Sequence, residues 1–294
     1  MIPVILKEAI QGNTIALARC ISLIENEAGY YEQILQNLPV TTVATIGITG
    51  PPGAGKSTLV DALISTMVKD GKKVAVLCID PSSPFHHGAI LGDRIRMNSW
   101  YNNPNVFIRS LASKATLGGL SPKVIEITDF LKACPFDYVI VETIGVGQNE
   151  VEIASLADVT VVVLVPEAGD DIQTMKAGLM EVADIFVVNK CDRAGANTFV
   201  KYLSNMVAAS SSKKNVAVLK TIASKNEGVE VLYKNILHFI FRVNTTDKKI
   251  NLLANKAFTL IQNKKMKGIT KSYLAEKIIE YPKENLYTLI NRLY

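Results

Sequence analysis

The sequence predicts a doubly wound α/β fold on a mostly parallel sheet, with a helical segment before it and a helical arm after it. Three observations predict this. Short, continuous, β-branched apolar runs recur from Val43 onward, as strands buried on both faces require. Helical patterns alternate with them. The first run leads directly into Gly50-Pro51-Pro52-Gly53-Ala54-Gly55-Lys56-Ser57, and a helical pattern, Thr58–Val68, follows. Strand, G-x-x-x-x-G-K-[ST] loop and helix in that order describe a phosphate-binding P-loop.

The elements follow in order. Residues 1–40 read as helical, with Ile10, Leu17, Ala18, Ile21 and Ile24 at amphipathic spacing and Gly29 as a stop. Strands are expected at Thr45–Thr49, Lys73–Ile79, Val106–Arg109, Asp137–Glu142, Thr160–Val165, Ile185–Asn189 and Ala217–Thr221. Helices are expected between them, among others at Ile172–Ala183 and Ala196–Ala209. Asn244-Thr245-Thr246-Asp247 reads as a hinge or cap. Helical stretches at about 250–266 and 271–291 follow, split by Lys267-Gly268-Ile269-Thr270. The expected division is 1–40, an N-terminal helical segment; 41–243, the P-loop domain; and 244–294, a C-terminal helical arm. Such an arm buries little surface alone, so it needs a core or a second subunit to pack on.

Composition narrows the class. Of 294 residues, 48% are hydrophobic and 20% charged, which describes a folded protein. The net charge of +5 comes without a dense basic tract, so no nucleic-acid partner is expected. The cluster Lys248, Lys249, Lys256, Lys264, Lys265 and Lys267 reads as a solvated helix face. Cys20, Cys78, Cys134 and Cys191 form no C-x-x-C, which suits free thiols in a reducing compartment. The three histidines lack zinc-type spacing. Met1–Ile10 does not read as a signal peptide, and Val159–Val165 is too short to span a bilayer. No membrane partner is expected, and the cytoplasm is the expected location.

In a doubly wound sheet, ligands bind beyond the carboxyl ends of the strands. The glycines of Gly50–Gly55 let several backbone N–H groups face one anion, and the helix N-terminus adds partial positive charge. Lys56 supplies a full charge for the β and γ phosphates, Ser57 a hydroxyl for Mg²⁺, and Thr58 continues the cradle. Asn189-Lys190-Cys191-Asp192 selects the base. A carboxylate at Asp192 can accept from guanine N1–H and N2–H₂ together, Asn189 can meet the O6/N7 side, and the Lys190 stem can cover the ring. Ser224 lies in a loop that either approaches O6 or is a plain turn. Glu142-Thr143-Ile144-Gly145 stands where D-x-x-G is usual, so Glu142 can hold Mg²⁺ through water and the Gly145 N–H can approach the γ phosphate. Val146 follows this glycine where small GTPases carry a water-orienting glutamine, and Gln148 is the candidate substitute. Asp80 and Asp93 are further candidates for the metal or the water. Slow hydrolysis by the protein alone is expected. The predicted catalytic set is Lys56, Asp93, Glu142 and Gln148; the predicted metal set is Ser57, Asp80, Asp93 and Glu142.

On these residues the chain resembles the MeaB/ArgK family of P-loop GTPases, the methylmalonyl-CoA mutase-associated proteins. The matching segments are residues 47–58, 80–83, 90–97, 117–121, 141–150, 169–178 and 181–195. Two stretches depart from the family pattern: Pro84-Phe85-His86-His87-Gly88-Ala89, where His87 replaces a glycine, and Ser113-Lys114-Ala115, where S-R-G is usual. The resemblance implies a homodimeric, Mg²⁺-dependent GTPase cycling between GTP and GDP, with a C-terminal dimerisation arm. It also implies a chaperone role toward an adenosylcobalamin-dependent acyl-CoA mutase such as methylmalonyl-CoA mutase, gating cofactor loading and protecting or reactivating the mutase. The alternatives are a metal-insertion GTPase of the nickel type, an ArgK-type kinase of a transport system, against which Asp192 argues, and a nucleotide-dependent interaction module.

Overall fold

The computed structural model describes residues 3–81, 97–113, 123–143, 152–168, 178–209, 216–243 and 246–293. Three helices come first: α1 Val4–Ile10, α2 Thr14–Glu25 and α3 Tyr31–Gln36. The predicted helical stretch is thus broken twice. Gly12, at φ 95°, turns the chain between α1 and α2, and the Asn13 side chain caps α2 by accepting from the N–H groups of Ile15 and Ala16.

Then come β1 Ala44–Thr49, α4 Lys56–Lys69, β2 Val74–Pro81, β3 Val106–Ser113, α5 Val124–Lys132, β4 Tyr138–Thr143, β5 Val159–Leu164, α6 Gly178–Val182, β6 Ile185–Val188, α7 Ala196–Ala209, β7 Ala217–Lys220 and α8 Val229–Val243. All seven expected strands are present, and they form one parallel sheet in the order β3-β2-β4-β1-β5-β6-β7. The expected helix at 196–209 is α7; of the one expected at 172–183, the part before Gly178 lies outside the described residues.

Both faces of the sheet are covered, which explains why the strands read as continuous apolar runs. On one face Leu59, Leu63 and Met67 of α4 and Leu232 and Ile236 of α8 pack with Val76, Ile140, Val161 and Val163. On the other, Phe199 and Leu203 of α7 pack with Val162, Leu164, Phe186 and Val188. Fully burying each such side chain contributes about 1.5–3 kcal/mol.

The amino-terminal rim carries a repeated device. Asp137, just before β4, accepts from the Lys73 N–H at 2.7 Å, and its own N–H donates to the Lys73 carbonyl at 2.8 Å. Asp158, before β5, does the same to Thr45 of β1, at 2.7 and 2.8 Å. Asp184, before β6, does so to Thr160 of β5, at 2.9 Å twice. In each case the aspartate clamps the start of the neighbouring strand and so fixes register at the edge where pairing begins.

Contacts group Met1–Leu252 into one compact unit and Leu253–Tyr294 into another. The second holds most of α9 Thr246–Lys265, then α10 Lys271–Glu280 and α11 Leu286–Leu293. The single helix expected at 271–291 is two helices. Pro282 offers no N–H and disfavours helical geometry at the residue before it, and Tyr281 sits at φ −121°, ψ 62°. Phe258, Ile261, Ile279 and Tyr287 of this unit are exposed. No described helix is long and apolar enough to cross a membrane.

Candidate functional site

β1 ends at Thr49, and the loop that follows is held by two close approaches. Gly50 lies at φ 138°, where a Cβ would stand 2.0 Å from the Val163 carbonyl oxygen of β5. Gly55 lies at φ 86°, where a Cβ would stand 2.5 Å from Asn189 Nδ2. Only glycine satisfies both demands. Ala54 is buried and Pro52, Gly53 and Thr58 are exposed, so the loop presents its outer arc to solvent.

α4 begins at Lys56 with its N-terminus aimed along the loop. Lys56 is buried, and its ammonium donates to the carbonyl oxygens of Gly50 and Pro51 at 2.8 and 2.9 Å. Ser57 is buried too, and its hydroxyl donates to Glu142 Oε1 at 2.7 Å. Glu142 stands near the carboxyl end of β4, in register with Ile48 of β1 on one side and Cys78 of β2 on the other. Beside it Thr143 Oγ1 donates to Thr49 Oγ1 at 2.9 Å, a tie between β4 and β1 that sequence reasoning missed.

Ser57 and Glu142 converge from two elements 85 residues apart. Their donors are all oxygens, the chemistry a hard divalent cation such as Mg²⁺ selects, so the pair fits such an ion. Asp80 falls on the last residues of β2, in register with Ala112; its side chain lies outside the described residues. Asp93, Gly145 and Gln148 also lie outside them, as do His86, His87, Lys114 and Ala115.

After β6 the chain turns through Asn189 and Lys190, the latter at φ 56°. The Asn189 amide is engaged within the protein: Nδ2 donates to the Ala54 carbonyl at 3.0 Å, and Oδ1 accepts from Thr221 Oγ1 and the Ala223 N–H, each at 3.1 Å. A base-edge contact at O6/N7 is also expected of it; within the protein it joins three loops. The reason is spatial. Ala54 lies 135 residues away in the chain and is brought alongside by the sheet order β1-β5-β6. Lys190 Nζ donates to the Gly53 carbonyl at 2.6 Å, so its stem lies over the phosphate loop. Asp192 is exposed and accepts no hydrogen bond from a described residue. Burial pushes the Cys191 thiol up, which keeps it protonated at neutral pH. Ser224 is exposed on the short turn Ala223–Lys225, anchored by the Ala223–Asn189 bond. Across the same rim Arg193 pairs with Glu167 at 2.6 Å, and that hydrogen bond holds the Glu167 carboxyl below the usual range.

The structure therefore brings Gly50–Ser57, Glu142, Asn189, Lys190 and Ser224 to one rim.

The family model described as "Methylmalonyl Co-A mutase-associated GTPase MeaB" matches residues 17–278. A protein of Pyrococcus abyssi is 46% identical over 243 residues, covering 80% of this chain and 75% of its own length. The fused isobutyryl-CoA mutase of Cupriavidus metallidurans is 36% identical over 248 residues, covering 80% of this chain but 23% of that protein. Among solved structures, the crystal structure of a LAO/AO transport system kinase superposes with a TM-score of 0.68 at 24% identity, covering 98% of this chain and 95% of that one. At that identity the likeness concerns the fold.

Proposed function

This chain belongs to the MeaB family of methylmalonyl Co-A mutase-associated GTPases, and on that premise we propose that it hydrolyses GTP as the chaperone of an adenosylcobalamin-dependent acyl-CoA mutase. The observation that carries the GTPase reading is the union of the Ser57–Glu142 pair with an N-K-x-D turn held on the phosphate loop by Asn189 and Lys190. The mutase reading is supported by the relative in which a similar segment is part of a fused isobutyryl-CoA mutase.

The chemistry follows from the side chains. Lys56 exchanges its two carbonyl acceptors for phosphate oxygens, so its charge moves from backbone to substrate over a short distance. N–H groups of residues 53–58 receive the remaining phosphate oxygens. Asp192 takes guanine N1–H and N2–H₂; adenine presents no such donor pair, which sets the preference for GTP. Ser57 and Glu142 would hold Mg²⁺, Glu142 through water, with Asp80 and Asp93 as the further proposed carboxylates. Mg²⁺ supplies charge neutralisation for the transferred phosphoryl group. In-line attack of water on the γ phosphorus breaks its bond to the bridging oxygen and yields GDP and phosphate. Gln148 and Asp93 are proposed to position the water, and the Gly145 N–H to meet the γ phosphate.

The proposed domains are 1–40, 41–243 and 244–294, the last a dimerisation arm. Exposed Phe258, Ile261, Ile279 and Tyr287 are the apolar groups such an arm would bury against a second copy. Cytoplasmic location belongs to the same reading.

The test is steady-state phosphate release from GTP with Mg²⁺, alone and with methylmalonyl-CoA mutase, with ATP in parallel. Slow GTP turnover that rises severalfold with the mutase, and inert ATP, is expected. Turnover indifferent to acyl-CoA mutases sinks the chaperone role; preferred use of ATP sinks the base assignment and favours a kinase.

A further inference from the structure

A cavity of about 370 Å³ lies at the amino ends of β2 and β3, on the rim opposite the phosphate loop. We infer that it is a second, small-molecule site, for a flat aromatic group carrying a single negative charge.

Its size falls within the usual range for small-ligand pockets, about 300–1,000 Å³. Its walls are aromatic and held in place. Trp100 is pinned by its Nε1–H, which donates to Asp61 Oδ1 at 2.6 Å, and Tyr101 follows it. Phe107 and Phe136 pack against each other, with ring centroids 6.2 Å apart and planes tilted by 38°. Four aromatic residues among those lining the cavity suit a planar π system, which gains from offset or edge contacts with them.

The cavity also wraps an edge. β3 is the last strand of the sheet, and consecutive residues of a strand point to opposite faces. Phe107 and Ile108 nevertheless both line the cavity, so it reaches around the outer side of β3. The turn before β3 is fixed by Asn103, whose Oδ1 accepts from the Asn105 N–H at 2.9 Å. The floor is thus built before any ligand arrives.

Among the described residues that line the cavity, Lys73 alone is charged. Its backbone N–H is clamped by Asp137, which sets where its side chain starts. A single lysine among lining residues that include four aromatics favours one anionic substituent on an aromatic ring over a polyanionic ligand. Trp100 also joins the cavity to α4, through Asp61, five residues after Lys56.

The experiment is calorimetric titration of the full chain with 2-naphthalenesulfonate, with and without saturating GDP. One site is expected, with submillimolar affinity unchanged by GDP. Tyr101→Ala should weaken binding about tenfold by removing one exposed wall. Lys73→Gln should weaken the sulfonate roughly threefold and leave uncharged 2-naphthol unaffected. Thermal melting checks that both variants are folded, and both positions are exposed enough to tolerate the change. Absence of heat, competition by GDP, or binding that neither substitution alters overturns the assignment.

Discussion

At the amino-terminal rim of the sheet, Asp137, Asp158 and Asp184 each grip both the N–H and the carbonyl of one residue of the neighbouring strand. At the carboxyl-terminal rim, Glu142 accepts from a hydroxyl instead, and Lys56 rests on the carbonyls of its own loop. The first set of bonds joins strands whose register the folded chain must keep. The second joins groups that can change partners without breaking a strand pair. The same charged chemistry therefore ties strands together at one end of the sheet and, on the proposed function, meets a ligand at the other. Position in the topology, more than residue type, separates the two uses.

Lys56→Ala should break the comparison at its strongest point. Hydrolysis of GTP is expected to fall by about 10²–10³-fold, because the lost charge acts where phosphate charge develops. The melting temperature should fall by only a few degrees, since the loss leaves two buried carbonyls of the loop without the ammonium but breaks no strand pair. A large loss of stability would show that the phosphate loop is itself structural. Asp192→Ala comes next. Two charge-assisted hydrogen bonds to guanine are lost, so GTP affinity by calorimetry should drop by roughly 100-fold while denaturant stability is unchanged.

Asp184→Ala tests the other rim. It leaves the Thr160 N–H without its carboxylate in a buried setting, which costs about 1–3 kcal/mol in urea unfolding. Turnover per folded molecule should stay as it was. A turnover defect without destabilisation would erase the distinction between the rims.

Glu167 sharpens it with the smallest effect. The carboxyl is held below its ordinary value of 4.5, first by the hydrogen bond from Arg193. A lowered folded-state pKa gives stability that is present above the unfolded value and is lost as pH falls through the folded one. Wild type should therefore melt slightly above Glu167→Gln at neutral pH, with the gap closing as pH falls below about 4.5. Full exposure keeps the gap small. A wide gap would mean that the ligand-facing rim also carries stability.

The seven strands and α7 were legible because burial on both faces leaves a local mark, an unbroken apolar run. The phosphate loop was legible because its glycines and lysine are contiguous. The break at Tyr281–Pro282 was legible too, in the proline itself, but the apolar spacing on either side masked it. What could not be read were contacts set by strand order. Nothing near Asp158 says that its partner is Thr45, 113 residues earlier. Only Phe136-Asp137-Tyr138, Ala157-Asp158-Val159 and Ala183-Asp184-Ile185, an aspartate entering each of three strands, hint at a shared role. The bonds of Asn189 to Ala54, Thr221 and Ala223 went unread for the same reason: these neighbours assemble only when β1, β6 and β7 share a rim.

That one amide has a kinetic consequence. It fastens the proposed phosphate loop to the proposed base turn, so on that reading the two ends of a bound nucleotide are not released independently. Off-rates for GDP and for a bare pyrophosphate should respond together to any strain at Ala54. An exchange factor would need only one point of leverage, and prying at either loop would loosen the whole nucleotide.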